Sequence, residues 1–380
     1  MKPGQLIASS TIYDWVLLAL FGVTLMIQLG YYVLVFLKLP LYKPEKKRKT
    51  KKGVSIIICA KNEMENLQKF LPKVLEQDYP VFEVVVVNDC STDDTEQLLS
   101  ELMVHYKHLR YTSIPASEKF LHGKKLALTI GLKSAKYDHV LLIDADCYPV
   151  SNLWLQRMAA NLTREKKIVL GYGGYERKKG LLNILIRYET VSTAIQYLSY
   201  AISGRPYMGV GRNLAYEKDL FFSNKGFANH YHLASGDDDL FVNETANKEN
   251  TSVEISHESH TLSVPKTSFK SWVKQKKRHL TAGAHYTVRS RTRIAGEIIS
   301  RLMNYLSLVL LCILSHWVWV VGALFGVLII TRMIIFGLGM QRLCEKYLLV
   351  PSLLLDLIMP LMLGIIWLGS KFESKNQSWS

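Results

Sequence analysis

The chain has 380 residues, 47 Lys and Arg against 32 Asp and Glu, a formal net charge of +15, and a hydrophobic share of 49%. The excess charge sits in two blocks: residues 38–52 hold eight basic residues and one acid, and residues 266–293 hold nine basic residues and no acid. Nucleic-acid proteins usually spread their charge over a folded face. Here each block abuts an apolar run, which argues against nucleic acid and for membrane lipids as partners. The five cysteines (Cys59, Cys90, Cys147, Cys312 and Cys344) form no C-x-x-C pair, so neither a zinc site nor a disulfide framework is expected.

Residues 12–37 are apolar and long enough to span a bilayer. No A-x-A cleavage site follows, and the basic flank comes after the run, so residues 1–37 read as an anchored transmembrane helix rather than a signal peptide. The basic linker 38–52 then stays in the cytoplasm, with the N-terminus outside.

Residues 53–265 read as a single α/β domain. Val54–Ile58, Val84–Val87 and Val140–Ile143 are short continuous apolar runs, as expected of parallel strands buried on both faces. Leu67, Phe70, Leu71, Val74 and Leu75 make one helical face between the first two. Pro72 falls inside that stretch and predicts a kink or a break. Ser91-Thr92 is placed to cap a helix over Asp93–Leu102. Asp144-Ala-Asp146 directly follows the third strand. Its carboxylates point into the crevice where open α/β sheets bind ligands, and such a pair can hold a divalent cation against a diphosphate.

Residues 266–296 mix Lys and Arg with Phe269, Trp272, Val273, Leu280 and Tyr286, a pattern of helices lying at headgroup level. Residues 297–370 form a C-terminal transmembrane region of about three helices. Two of these lie in the apolar stretch 302–340, softly broken near Ser315-His316-Trp317, and one in 347–369. Arg332 and Arg342 fall toward the cytoplasmic end of the second. A re-entrant pair is the alternative for two of the roughly four spans in all, and residues 371–380 are a tail.

The motifs gain force from their order. The chain reads Val54-Ser-Ile-Ile-Ile-Cys-Ala-Lys-Asn-Glu63, Val87-Asn-Asp-Cys-Ser-Thr-Asp-Asp-Thr95, Gly123-Lys124, Asp144-Ala-Asp146, Gly209-Val-Gly-Arg-Asn213, Gly236-Asp-Asp-Asp-Leu240 and Gln275-Lys-Lys-Arg278. Three adjacent carboxylates at 237–239 repel one another, so at least one should titrate high. Taken in this order, the chain resembles the membrane-anchored inverting glycosyltransferases of family 2, the group of cellulose, chitin and hyaluronan synthases. The resemblance covers residues 50–290 and the flanking spans.

The resemblance implies a GT-A type domain with transmembrane helices at both ends. Ala60, Glu63 and Asp89 match positions that hold the nucleoside, and Lys124 the lysine that faces base and diphosphate. Asp146 matches the ligand to Mg²⁺ or Mn²⁺, and Asp144 a contact to ribose or sugar. Asp238 matches the general base, with helix capping the competing role for Asp237 or Asp239. Gly211, Asn213, Asp237 and His279 fall on the acceptor side, and Gln275 and Arg278 reach the diphosphate. Several positions depart from the family pattern: Cys59, Lys61, Asn88, Cys90, and His279 where the signature has Trp. The implied activity moves a sugar from a nucleoside diphosphate sugar, UDP-linked, to a glycan or lipid-linked acceptor, with the catalytic domain on the cytoplasmic side of a bacterial-type plasma membrane. Single transfer to a polyprenyl phosphate and a catalytically silent nucleotide-sugar scaffold are the alternatives.

Overall fold

The computed structural model describes residues 11–44, 50–115, 123–231, 233 and 235–372. Parts of the basic linker (45–49) and of the tail (373–380) lie outside the described residues. Helix α1 (Ile12–Tyr31) runs through a π-helical turn (Tyr32–Phe36) into α2 (Lys38–Leu41). Strands and helices then alternate: β1 (Val54–Ala60), α3 (Met64–Leu75), β2 (Phe82–Asp89), α4 (Thr95–His105), β3 (Leu109–Ile114), α5 (Lys124–Ser134) and β4 (His139–Leu142). After these come β5 (Cys147–Pro149), α6 (Trp154–Ala160), β6 (Ile168–Leu170), β7 (Gly173–Tyr175), α7 (Leu181–Ile202), β8 (Leu214–Glu217), α8 (Lys218–Ser223), α9 (Asp239–Thr245), β9 (Thr251–Val253) and β10 (Thr261–Ser263). The chain then continues through α10 (Phe269–Leu280), α11 (Val288–Leu314), α12 (Val318–Arg342) and α13 (Leu349–Phe372).

The main sheet has the order β3-β2-β1-β4-β8-β6-β9. Its first four strands are parallel, and β8 runs antiparallel to both of its neighbours. A smaller sheet, β5-β10-β7, stands beside it. Period-two alternation sorts β1 between two cores. Ile56 and Ile58 pack with Leu67, Leu71, Leu99 and Trp154 of α3, α4 and α6. Ile57 faces Leu128 and Leu132 of α5, in a core that extends through α7 to the apolar helices.

Two local expectations change. Helix α3 runs through Pro72 without ending there, because Leu67, Phe70, Leu71, Val74 and Leu75 are all buried on one face. That packing outweighs the missing N–H donor. Helix α4 is not capped by Ser91-Thr92. Its N-cap is Asp94, which makes no side-chain cap bond, and Asp93 just before it accepts from the Thr95 N–H at 3.2 Å and Oγ1 at 2.6 Å. Ser91 Oγ instead accepts from the Asn62 N–H at 2.9 Å.

Four helical segments are long and apolar enough to cross a membrane: Ile12–Leu41, Val288–Leu314, Val318–Arg342 and Lys346–Gly369. The first C-terminal one starts well before residue 302. Residues 288–296, expected at the interface, are its opening turns, since no breaker separates them from the apolar run. The segment expected at the interface thus narrows to α10 and the turn Ala282–His285. Polar side chains bind α1 to α11: Gln28 Nε2 donates to the Glu297 carbonyl at 2.9 Å and to Ser300 Oγ at 2.8 Å. Arg332, in the second half of α12, is buried at 2% exposure, with Nη2 2.9 Å from Asp356 Oδ1.

Candidate active site

The cleft opens at the carboxyl ends of β1, β2 and β4, beside the point where the strand order turns from β1 to β4, the usual ligand crevice of such sheets. Ala60 ends β1 with its methyl buried, and Asp89 ends β2 fully buried. Glu63 stands before α3, its Oε2 accepting from Asn66 Nδ2 at 2.6 Å. Burial raises the Glu63 carboxyl, and the Asp146 and Asp144 charges add to the shift.

Lys124, the first residue of α5, joins two acidic loops. Its Nζ lies 2.9 Å from Asp144 Oδ1 and 3.0 Å from Asp237 Oδ2. Burial works against its charge, but Asp144, Asp237 and Asp238 outweigh that and lift its pKa well above the ordinary value. Burial also opposes ionisation of Asp237, yet Lys124 wins and holds this carboxyl below its usual range.

The second acidic loop is set by Gly236, whose φ of +91° is a left-handed conformation open to glycine. Asp238 is the N-cap of α9: its Oδ1 accepts from the Asp239 N–H at 2.9 Å, and its Oδ2 from the Gly211 N–H. Asp239 Oδ1 also accepts from the Leu240 N–H at 2.8 Å, so the capping falls on Asp238 and Asp239 and not on Asp237. Burial and the Asp237 charge raise Asp238 to about 6. Asp239 points away, taking a 2.8 Å bond from the Tyr286 hydroxyl, and burial and the Asp238 charge push it to about 7. Gly211 is needed for close approach: a Cβ there would meet Asp238 Oδ2 at 3.3 Å and Lys124 Nζ at 3.4 Å.

On the opposite wall, burial and the neighbouring Asp144 charge raise the Asp146 carboxyl. Asp144, Asp146 and Cys147 can each offer one ligand atom, all within 4.8 Å of one another. Two hard carboxylate oxygens with a thiol fit a divalent cation that also takes phosphate oxygens. Cys147 Sγ lies 2.8 Å from Ser263 Oγ, to which Arg212 Nη1 donates at 3.5 Å. Arg212 also stacks on the Tyr175 ring, 4.6 Å from its centroid. Gln275 Nε2 reaches the Tyr175 hydroxyl at 3.5 Å, bringing α10 to this wall. Arg278 is partly buried and forms no ion pair among the described residues; His279 is exposed.

The structure therefore gathers Lys124, Asp144, Asp146, Gly211, Asp237 and Asp238 into one cleft. Asn213 does not join them. It is fully buried: its Nδ2 donates to the Tyr172 and Ser259 carbonyls, both at 2.8 Å, and its Oδ1 accepts from Trp154 Nε1 at 3.0 Å. With its amide saturated inside the fold, it holds the turn and has no group left for an acceptor. The sequence reading gave no role to its neighbour Arg212 or to Cys147. The signal was present, since each sits inside or beside a quoted motif.

Residues 139–367, more than half of the chain, match the model of glycosyl transferase family group 2, and residues 55–221 match that of glycosyl transferase family 2. The chain is a family 2 glycosyltransferase. It is 32% identical over 94 residues to a poly-β-1,6-N-acetyl-D-glucosamine synthase of Staphylococcus epidermidis, covering 25% of this chain and 22% of that one. It is 26% identical over 160 residues to the synthase of that name from Staphylococcus aureus strain COL, covering 39% and 38%. The glycosyltransferase thus spans well under half the length of these relatives. Its fold resembles that of a mannosyltransferase from Pyrobaculum calidifontis, solved with GDP-Man and Mn²⁺, at a TM-score of 0.56 and 17% identity over 90% of this chain and 98% of that one.

Proposed function

We propose that this glycosyltransferase is an integral-membrane enzyme that moves a sugar from a UDP-linked donor to a glycan or lipid-linked acceptor, with inversion, on the cytoplasmic side. One observation carries the reading: a single ammonium, Lys124, ties the Asp144 loop to the Asp237–Asp238 loop. A diphosphate-binding wall and a proton-accepting wall thereby meet in one cleft.

Asp238 is the general base. It is held by the Gly211 N–H and raised toward neutrality, which suits a group that must both ionise and take a proton. The acceptor oxygen attacks the anomeric carbon, its proton passes to Asp238, and the bond to the diphosphate oxygen breaks on the far side. Asp144 and Asp146, with Cys147 beside them, would hold Mg²⁺ or Mn²⁺, which neutralises charge on the leaving diphosphate. Lys124 stays cationic next to that diphosphate, and Arg212 and Arg278 add charge-assisted donors. Ala60, Glu63 and Asp89 line the nucleoside end. The N-acetylglucosamine named in the staphylococcal relatives is the sugar we assign first.

The test is a donor panel on purified full-length protein in detergent, reading released nucleotide. UDP release with UDP-N-acetylglucosamine, lost on chelation and restored by Mn²⁺ or Mg²⁺, is expected. Turnover with no nucleotide sugar in the panel, acceptor membranes present, would refute the proposal.

A further inference from the structure

The helix α13 has the length and composition of a membrane span, but its packing places it otherwise. We infer that α13 lies in the plane of the leaflet facing the catalytic domain, and that acyl chains of phospholipids cover its outer face and the groove it shares with α10.

Three contacts along its length all return to one short stretch of α7. Glu345, just before α13, pairs with Arg187 and accepts from the Tyr172 hydroxyl at 3.4 Å. Asp356 accepts from the Tyr188 hydroxyl at 3.4 Å. Ile366 is buried in a cluster with Ile186, Tyr175 and Trp272. Helix α7 belongs to the catalytic domain, where Tyr188 and Val191 share a core with the sheet residues Ile168 and Leu170. A helix of this length extends about 36 Å, and the hydrocarbon is about 30 Å thick. Were α13 upright, its last turns would lie at the opposite surface, out of reach of that domain.

Helix α10 gives the second argument. It runs beside the second half of α13, and the two enclose a groove of about 530 Å³ whose walls include Phe269, Val273 and Lys277 on one side and Ile358, Leu361 and Ile365 on the other. An upright α13 would draw Lys270, Lys274 and Lys277 into hydrocarbon, which is costly. With both helices in plane, the groove meets acyl chains while the lysines meet headgroup phosphates. The third argument is the outer face. Val350, Leu354, Leu361, Ile365 and Leu368 recur at helical spacing and are 52–76% exposed, while Ser352 and Asp356 are buried on the other side. That outer face is matched to acyl chains, with the polar groups turned inward. The placement is independent of the donor proposed above.

Counting crossings tests it. With α1, α11 and α12 as the spans, epitope tags at the two termini of the full chain lie on opposite sides, as read by protease access in right-side-out and inverted vesicles. Tags on the same side mean a fourth crossing and overturn the inference. The lipid occupant is tested with phosphatidylglycerol carrying a diazirine in its acyl chain. Cross-links should map to residues 269–277 and 350–369 and fall several-fold when Lys270, Lys274 and Lys277 are all changed to Gln. Absence of labelling there, an unchanged yield in that variant, or cross-links joining two copies of the chain would overturn it.

Discussion

At the scale of single residues, the site is a charge ledger around Lys124. Asp144, Asp237 and Asp238 all act on one ammonium, so protonation at Asp237 and at Asp238 is linked. Burial and the Asp237 charge, only partly offset by Lys124, hold Asp238 at a pKa of about 6. Two outcomes follow for Asp238→Asn. Turnover falls by about 10²- to 10⁴-fold, the usual worth of a general base, while UDP binding by calorimetry persists. In the wild type, kcat/KM falls about tenfold per pH unit below pH 6, because the base must be ionised. Stability moves the other way. A carboxyl raised above its unfolded value of 3.8 contributes stability that is full below that value and lost as pH rises through about 6. Asp238→Asn therefore melts above the wild type at pH 7–8, and the gap closes below pH 4. A gap that is the same at both ends of the range would remove Asp238 as the titrating group.

At the scale of elements, turns aim these residues. Gly236 at φ +91° launches the 237–239 run, and a Cβ there would meet Leu240 Cδ1 at 2.4 Å. Gly236→Ala should cost about 1–2 kcal/mol of stability for the left-handed backbone. It should lower kcat by up to about 10²-fold, since a small misplacement of a reacting group is that expensive. Steady-state kinetics beside a melting curve separate the two effects; unchanged kcat would mean the turn does not position Asp238. Elements are also where the sequence was most readable. The strands announced themselves as Val- and Ile-rich runs because parallel strands are buried on both faces. Helix ends were less readable. Pro72 signalled a kink or a break and Ser91-Thr92 a cap; packing of the α3 face carries the helix on past Pro72, and Asp93 rather than Ser91-Thr92 accepts from the first N–H of α4.

At the scale of the whole molecule, a shared carboxylate ties the C-terminal apolar helices to one another. Asp356 on α13 accepts from Arg301 on α11 at 2.7 Å, from Tyr305 at 2.6 Å, and lies 2.9 Å from Arg332 on α12. Removing the shared anion strips the buried Arg332 of its carboxylate and leaves Arg301 only Glu297, so Asp356→Leu should destabilise by about 3–5 kcal/mol. Adding Arg332→Leu should recover part of that loss. Thermal melts in detergent check both, and a double variant no better than the single would show that the pair is not coupled.

The sequence by itself determined the α/β class, the acidic motifs at strand ends and the apolar helices, because hydrophobic runs and motif order are local and survive without coordinates. Only the tertiary structure decided which of three adjacent aspartates cap α9, that Asn213 is spent on the scaffold, that Arg212 and Cys147 border the site, and that Arg332 is paired in the interior. Each of these depends on partners far away in the chain: Gly211 for Asp238, Trp154 for Asn213, Ser263 for Cys147, Asp356 for Arg332. A side chain's role is fixed by what desolvates it and what it pairs with, and both are set when distant segments meet.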